Sequence, residues 1–393
     1  MNPSRDSLYS VVWLKSIAEV DQARWDLLAR PLPTPFLEWQ WLYQMEVSKS
    51  TTAETGWLPH HLTVWSHGEL IAAAPLYIKT HSAGEFVFDQ AWADVARHLK
   101  VSYYPKLVGM SPFTPMIGYR FLMAPAEEEN ALTRYMVNEI VQLCRRYGLS
   151  GCSFLFVDPH WRRRMLNHRF ISWQHQSFVW QNADYRAFED YLAVFNSNQR
   201  HNIRRERQSI AKQGVELKIL EGHDIPQNFF SEIYSFYART NDKFGPWGCK
   251  YLTESFFKGL AESYRQRLVF VGAFEKTHPD SPIGLALLVR KRDQLFGRYW
   301  GCSKEVKHLH FNACYYRPIE WAIANGIRCF DPGMGGYHKI RRGFRAVANY
   351  SLHRFFDERL AHIMDAHIEE INQLEQEHID GLNLEVPLAR KKS

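Results

Sequence analysis

The chain has 393 residues with a formal net charge of +6, of which 46% are hydrophobic, 15% aromatic and 23% charged. At 46.2 kDa it is longer than single cores usually grow, so two domains are expected, and the composition excludes a disordered chain. No apolar run approaches the ~18–20 residues of a bilayer span, no hydrophobic signal core opens the chain, and the six cysteines form no Cys-x-x-Cys pair; a soluble, cytoplasmic protein with reduced thiols and no transmembrane segment is expected.

In chain order, residues 70–79 (LIAAAPLYIK) and 84–89 (GEFVFD) read as neighbouring strands joined by a short turn. Residues 130–147 place Leu132, Met136, Ile140 and Leu143 at helical spacing, Gly148 closes the helix, and 152–157 follows as a buried strand stopped by Asp158-Pro159. Two helices are expected between 185 and 214, the second starting near Ser197 or Asn198, and further helices at 226–239 and 252–264. Residues 283–291 and 294–301 form a hairpin. A helix over 312–324 follows, closed by Asn325-Gly326, then a strand at 327–330 stopped by Asp331-Pro332. Hairpin, helix, strand and Asp-Pro thus occur twice, which points to a duplicated α/β domain. The predicted division is 1–175, then 176–356 with a basic helix near 197–213, then 357–393, an acidic amphipathic helix and tail.

Charge is uneven along the chain. From Arg290 to Arg354 there are thirteen Lys or Arg against four acids, and from Asp357 to Glu385 nine acids against one Arg. The first stretch implies a basic face for phosphates or acidic substrates, the second a solvated acidic helix. Arg200, Arg204 and Arg207 share one helix face beside Arg205 and Lys212. Their guanidinium forks suit phosphate oxygens; a surface helix with arginines paired to neighbours such as Glu206 remains the alternative. His338, Lys339, Arg341 and Arg342 follow the turn glycines Gly333, Gly335 and Gly336, a pattern that suits an anionic donor or a developing oxyanion. At the start of the 312–324 helix stand His308, His310, Asn312, Tyr315 and Tyr316, where a His or Tyr is able to move a proton, although a buried His satisfied by a carbonyl is equally common. Cys302, His308, His310 and Cys314 are nominal zinc ligands without the spacing of a zinc site, so no metal is expected. Phosphate-loop, dinucleotide, serine-hydrolase and zincin motifs are all missing. Acyl transfer needs none of them.

Several segments together resemble the FemAB-like N-acyltransferases, which are allied to the GNAT fold and to the peptidoglycan-bridge aminoacyltransferases. They include PTPFLEWQWL (33–42), PLYIKTHSAGEFVFDQAWA (75–93), PFTPMIGYRFL (112–122), HNIRRER (201–207), GRYWG (297–301) and the stretch 309–344, so the resemblance covers nearly the whole chain. It implies an α/β fold of two tandem GNAT-like domains with a C-terminal helix and a substrate cleft between the domains. It also implies transfer of an acyl or aminoacyl group to an amine acceptor. The donor is aminoacyl-tRNA or acyl-CoA as co-substrate, with tRNA among the candidate partners and no permanently bound cofactor. The proton-handling candidates are His310, Tyr316 and His338; Arg200, Arg204, Arg205, Asn312, Lys339, Arg341 and Arg342 are the substrate-binding candidates. Relatives of this kind carry Glu at the position of Asn312, and Gln and Glu at those of Gly335 and Tyr337. GNAT enzymes hold the CoA pyrophosphate on a glycine-bearing loop, which here reads SKEVKHLH (303–310) without glycine; this favours the tRNA donor. A GNAT-fold protein that binds RNA or an anionic metabolite without chemistry, and an acyl-CoA enzyme with an atypical loop, stay open.

Overall fold

The computed structural model describes residues 9–125, 127–245 and 248–389; residues 1–8 of the expected first domain and 390–393 of the expected tail lie outside them. The chain divides into two units, residues 1–175 with 348–376 and residues 176–347 with 377–393.

In the first unit, β1 (Ser10–Leu14), β3 (His61–Ser66), β4 (Glu69–Ala74) and β7 (Leu122–Met123) form an antiparallel sheet in that order. A second sheet runs β2 (Trp57–Pro59), β5 (Tyr77–Lys79), β6 (Lys106–Gly109), β8 (Gly151–Phe154) and the late residues Leu352–Phe355. The stretch 70–79, expected as one strand, is therefore two. Pro75 has no N–H for a ladder, and the chain changes sheets there while the Pro75 carbonyl accepts the Tyr119 hydroxyl at 3.0 Å.

Residues 84–89, also expected as a strand, form a loop instead. The reason is charge. The loop brings Glu85 and Asp89 to Lys106 Nζ at 2.9 and 2.6 Å, with all three side chains out of solvent. A buried ammonium needs such partners more than the segment needs a ladder.

The helix expected at 130–147 is α1 (Glu129–Arg146). The Glu128 carboxylate caps it by accepting from Asn130 N and Ala131 N, and Leu132, Met136 and Ile140 are buried beneath it. It crosses over to β8, which runs parallel to β6.

The second unit has the sheet order β10 (Val215–Glu221), β11 (Leu268–Glu275), β12 (His278–Lys291), β13 (Gln294–Cys302), β14 (Cys329–Asp331), β9 (Ile171–Gln181). The hairpin is antiparallel, and a helix again crosses over so that β14 runs parallel to β13. Both units thus contain an antiparallel pair, a crossover helix and a parallel strand, the repeated order the sequence suggested, although the pair in the first unit is β5 with β6 and not 70–79 with 84–89. Two helices precede β10: α2 (Phe188–Ala193) and α3 (Ser197–Lys212), the latter capped by the Asn196 side chain. Between β10 and β11 lie α4 (Phe229–Asp242) and α5 (Glu254–Ser263).

The crossover helix α6 starts earlier than expected. It has a first turn at Leu309–Phe311, a wide π turn at Asn312–Tyr316 and an α-helical end at Arg317–Ala324. Pro318 has no N–H to bind the carbonyl four residues back, which favours the wider winding there, and π turns often mark functional sites. The final helix, α7 (Glu358–Leu384), buries Leu360, Met364 and Ile368 against Trp92 and Ala96 in the first unit, whereas Leu374 is 59% exposed.

Candidate active site

Strands β13 and β14 pair over only three positions, Gln294–Phe296 against Cys329–Asp331. Beyond them β13 stays with β12, while the other chain turns away through Pro332 and Gly333, whose φ of +88° favours glycine. A β-bulge at Arg298 adds to the divergence, because the β12 partners step from Tyr299 to Gly297. The strands open like a V, and between them lies a cavity of about 330 Å³ with Arg298 to Trp300 on one side, Pro332 to Gly336 on the other and Tyr315 of α6 closing it.

The corresponding place in the first unit is filled. Tyr119 lies over Gly109, where an added Cβ would come within 2.3 Å of its hydroxyl oxygen, and its ring stacks on Phe154 at 5.8 Å. The open V is a property of the second unit.

His338 stands in the wall of this cavity, half-buried, with Nε2 2.9 Å from the Tyr315 hydroxyl. Burial, with the Arg342 and Lys339 charges beside it, pushes its pKa down to about 4, so the imidazole is neutral at pH 7. His310 also lines the cavity, its ring 5.9 Å from that of His338, and burial followed by the His338, Lys339 and Arg342 charges lowers it to about 4 as well. On its other side His338 borders a second cavity of about 270 Å³, whose walls include Asn202, Arg205, Phe311, Arg341 and Arg342.

The remaining sequence candidates take different places. Tyr316 is fully buried and lines neither cavity; it donates its hydroxyl proton to Glu206 of α3. The wide turn of α6 leaves Tyr315, not Tyr316, on the cavity side. Asn312 is buried, and its amide donates to the Glu206 carbonyl at 3.0 Å and the His308 carbonyl at 2.9 Å, tying α6 to α3. A carboxylate there would have no proton for either acceptor, so Asn312 suits its position, and a base at that point would not face the cavity. Tyr337 is 63% exposed and meets the ring of His378.

Lys339 is buried and donates to the Gly333 and Met334 carbonyls at 2.6 and 3.1 Å, holding the glycine loop rather than facing an anion. Burial lowers it to about 8. Its neighbour Asp331, which accepts Gly333 N–H at 2.9 Å, is raised by burial to about 6. Arg342, 4% exposed, donates to Glu206 Oε2 at 2.7 Å and the His338 carbonyl at 2.8 Å, and its guanidinium lies 3.4 Å over Phe311. Its buried Nε has no hydrogen-bond partner among the described residues.

On α3, Arg200 donates to the Phe195 carbonyl and Arg204 pairs with Glu189 at 2.7 Å, while Arg207 pairs with Glu320 at 2.9 Å and stacks on Phe188. The basic helix is therefore mostly committed to its own unit. Arg205 and Arg341 are exposed, and among the described residues their guanidinium groups have no partner. Cys302, His308, His310 and Cys314 do not converge, and no group of three metal-ligating side chains is found among the described residues.

Sequence reasoning named Glu206 and Asp331 but missed their place at the site. Glu206 joins α3, α6 and the segment after the glycine turn, and nothing local marks that role, since the partners of its carboxylate, Tyr316 and Arg342, come from distant parts of the chain. Asp331 was read only as a strand stop. A buried acid directly before a glycine turn is the signal that would have found it.

Gly336 bears directly on His338. It sits at φ +86°, and an added Cβ would lie 2.5 Å from His338 Cε1. Gly336→Ala is expected to cost about 1–3 kcal/mol of backbone strain and, by displacing the imidazole, up to about 10²-fold in kcat/KM. Thermal unfolding beside steady-state kinetics checks it, and unchanged kinetics would show that the ring position is immaterial.

The FemAB_like family, described as peptidoglycan biosynthesis/recognition, matches residues 16–390. No curated protein matches the chain. Similar solved structures include FemX, at 11% identity and a TM-score of 0.54, covering 88% of this chain and 98% of that one. Another is a C-terminal DUF2156 domain assigned to a lysylphosphatidylglycerol synthetase of Agrobacterium fabrum, at 9% identity and 0.52, covering 90% and 97%. A tandem GNAT protein from the clavulanic acid biosynthesis pathway is similar at 11% identity and 0.46, covering 88% and 98%. At these identities the likeness to FemX and to the DUF2156 domain is one of fold alone, a mixed α/β fold.

Proposed function

The chain belongs to the FemAB-like family, and we propose that it is an acyl- or aminoacyltransferase that moves its group from an activated oxygen ester, such as aminoacyl-tRNA, to an amine, using His338 and Tyr315 of the second unit. The observation that carries this reading is the contact of the Tyr315 hydroxyl with His338 Nε2 in the wall of the open V. The acyl group enters that cavity. Anionic parts of the substrates lie in the second cavity, toward Arg205 and Arg341.

When the amine attacks the ester carbonyl, a nitrogen–carbon bond forms and the nitrogen becomes acidic. Its proton passes to the Tyr315 oxygen as the tyrosine proton moves to His338 Nε2. The carbon–oxygen bond then breaks and the proton returns along the same path to the leaving oxygen. An imidazole of low pKa is a weak base but, once protonated, a strong acid, which suits an alkoxide leaving group; a thiolate leaves without that help. The loop between β13 and α6 also disfavours a diphosphate. Lys304 is engaged by Glu275 at 2.5 Å, and the exposed Glu305 pairs with Lys243. A cytoplasmic setting goes with an aminoacyl-tRNA donor, and no helix among the described residues is long and apolar enough to cross a membrane.

The test is to incubate the chain with amine-bearing peptidoglycan precursors and either aminoacyl-tRNA or acyl-CoA, and to read the acceptor's mass. Transfer from the ester alone supports the reading. Transfer from CoA alone overturns the donor assignment, and salt-dependent RNA binding with no transfer favours the binding-protein alternative. The pH dependence follows from the lowered His338 pKa. The neutral base is present at all pH values above about 4, so, once rates are referred to the concentration of unprotonated amine, kcat/KM should lose the enzyme's contribution only as pH drops through about 4, not near the ordinary histidine value of ~6.5. An acid limb near 6.5 would point to another base.

A further inference from the structure

A larger cavity of the second unit, about 520 Å³, lies apart from the His338 wall and has no part in the chemistry above. Its walls are apolar. Trp180, Tyr191 and Phe195 are almost fully buried around it, Val179 and Val347 add to the lining, and among the described residues no acidic one lines it. One side is closed by the segment Val386–Ala389, which straps onto the chain beside Phe195: Asn196 N–H donates to Pro387 O at 2.9 Å, Ala389 N–H donates to Val194 O at 2.8 Å, and Phe195 bridges Leu388.

Among the described residues the one charged lining group is the exposed Arg345. Tyr185 lines the same cavity, and the Arg345 charge acts on its hydroxyl, opposing the rise that burial causes. Among the described residues neither the Arg345 guanidinium nor the Tyr185 hydroxyl has a hydrogen-bond partner. The two uncommitted donors beside apolar walls suit an anion with an apolar body.

We infer that this cavity binds a single-chain amphiphile, its apolar body against Trp180, Tyr191 and Phe195 and its anionic head on Arg345 and Tyr185. The occupant would also touch the segment that carries His338, because the Tyr191 hydroxyl donates to the Arg342 carbonyl at 2.8 Å and Gly343 forms part of the wall. A carboxylate and a phosphate head share the recognising chemistry.

Titration calorimetry of the whole chain with decanoate, decyl phosphate and neutral decanol tests this. One-to-one binding of either anion is expected, and the tighter of the two names the head group. Arg345→Gln should weaken the anion at least tenfold while leaving decanol unchanged, and Val347→Trp, which fills the chamber, should abolish both. Absence of one-to-one binding by either anion, equal weakening of anion and decanol by Arg345→Gln, or binding untouched by Val347→Trp overturns the inference. None of these readouts depends on transferase activity.

Discussion

His338→Gln is expected to lower the turnover of acyl transfer by about 10²- to 10⁴-fold, the range that a positioned proton acceptor contributes. Glutamine keeps much of the volume and can still hydrogen-bond to Tyr315, but it cannot take up a proton. The fold should be little affected, because His338 is only half-buried and its side chain has the Tyr315 hydroxyl as its one hydrogen-bond partner among the described residues. Tyr315→Phe removes the other half of the relay and should lower turnover in the same direction without adding fully to His338→Gln, since the two act as a unit. Single-turnover rates with a saturating donor, alongside thermal unfolding, separate chemistry from folding. Unchanged turnover in His338→Gln would remove the relay from the mechanism.

Glu206→Ala is expected to destabilise the second unit by about 3–5 kcal/mol, the cost of leaving one member of a buried ion pair without its partner. The Glu206 side chain is 13% exposed and that of Arg342 5%, and the guanidinium lies against Phe311 with little water to replace the lost carboxylate. The same carboxylate accepts the Tyr316 hydroxyl, so a second buried polar group loses its partner. Removing both charges in Glu206→Gln with Arg342→Met should recover most of the loss, because it is the uncompensated charge that costs, not the absence of the pair. Denaturant midpoints of the two variants decide this; equal stability of Glu206→Ala and the unaltered chain would show that water reaches Arg342. Activity should fall in both, since Arg342 also holds the His338 carbonyl at 2.8 Å.

Where turns and periodicity are local, sequence and structure agree. The hairpin over β12 and β13, the Asn325-Gly326 end of α6 and the Asp331-Pro332 stop lie where the pattern put them, because a glycine at positive φ or a proline without N–H acts on its own few residues. The stretch 84–89 failed for a reason no window contains. Its apolar alternation is that of a strand, but the ammonium of Lys106, more than fifteen residues away, draws Glu85 and Asp89 into a loop.

The sequence alone determined the α/β class, the repeated order of elements and the concentration of imidazoles, glycines and cations in 309–344, since each depends on composition and near-neighbour spacing. Only the tertiary structure decided where those groups stand and what they contact. Divergence of two parallel strands opens the cavity, and the wide turn in α6 selects Tyr315 over Tyr316. Burial fixes Lys339 on its own loop and Arg342 on Glu206, leaving His338 neutral at the wall. A side chain's charge state and direction depend on the groups that surround it in space, and those groups come from parts of the chain that the sequence keeps far apart.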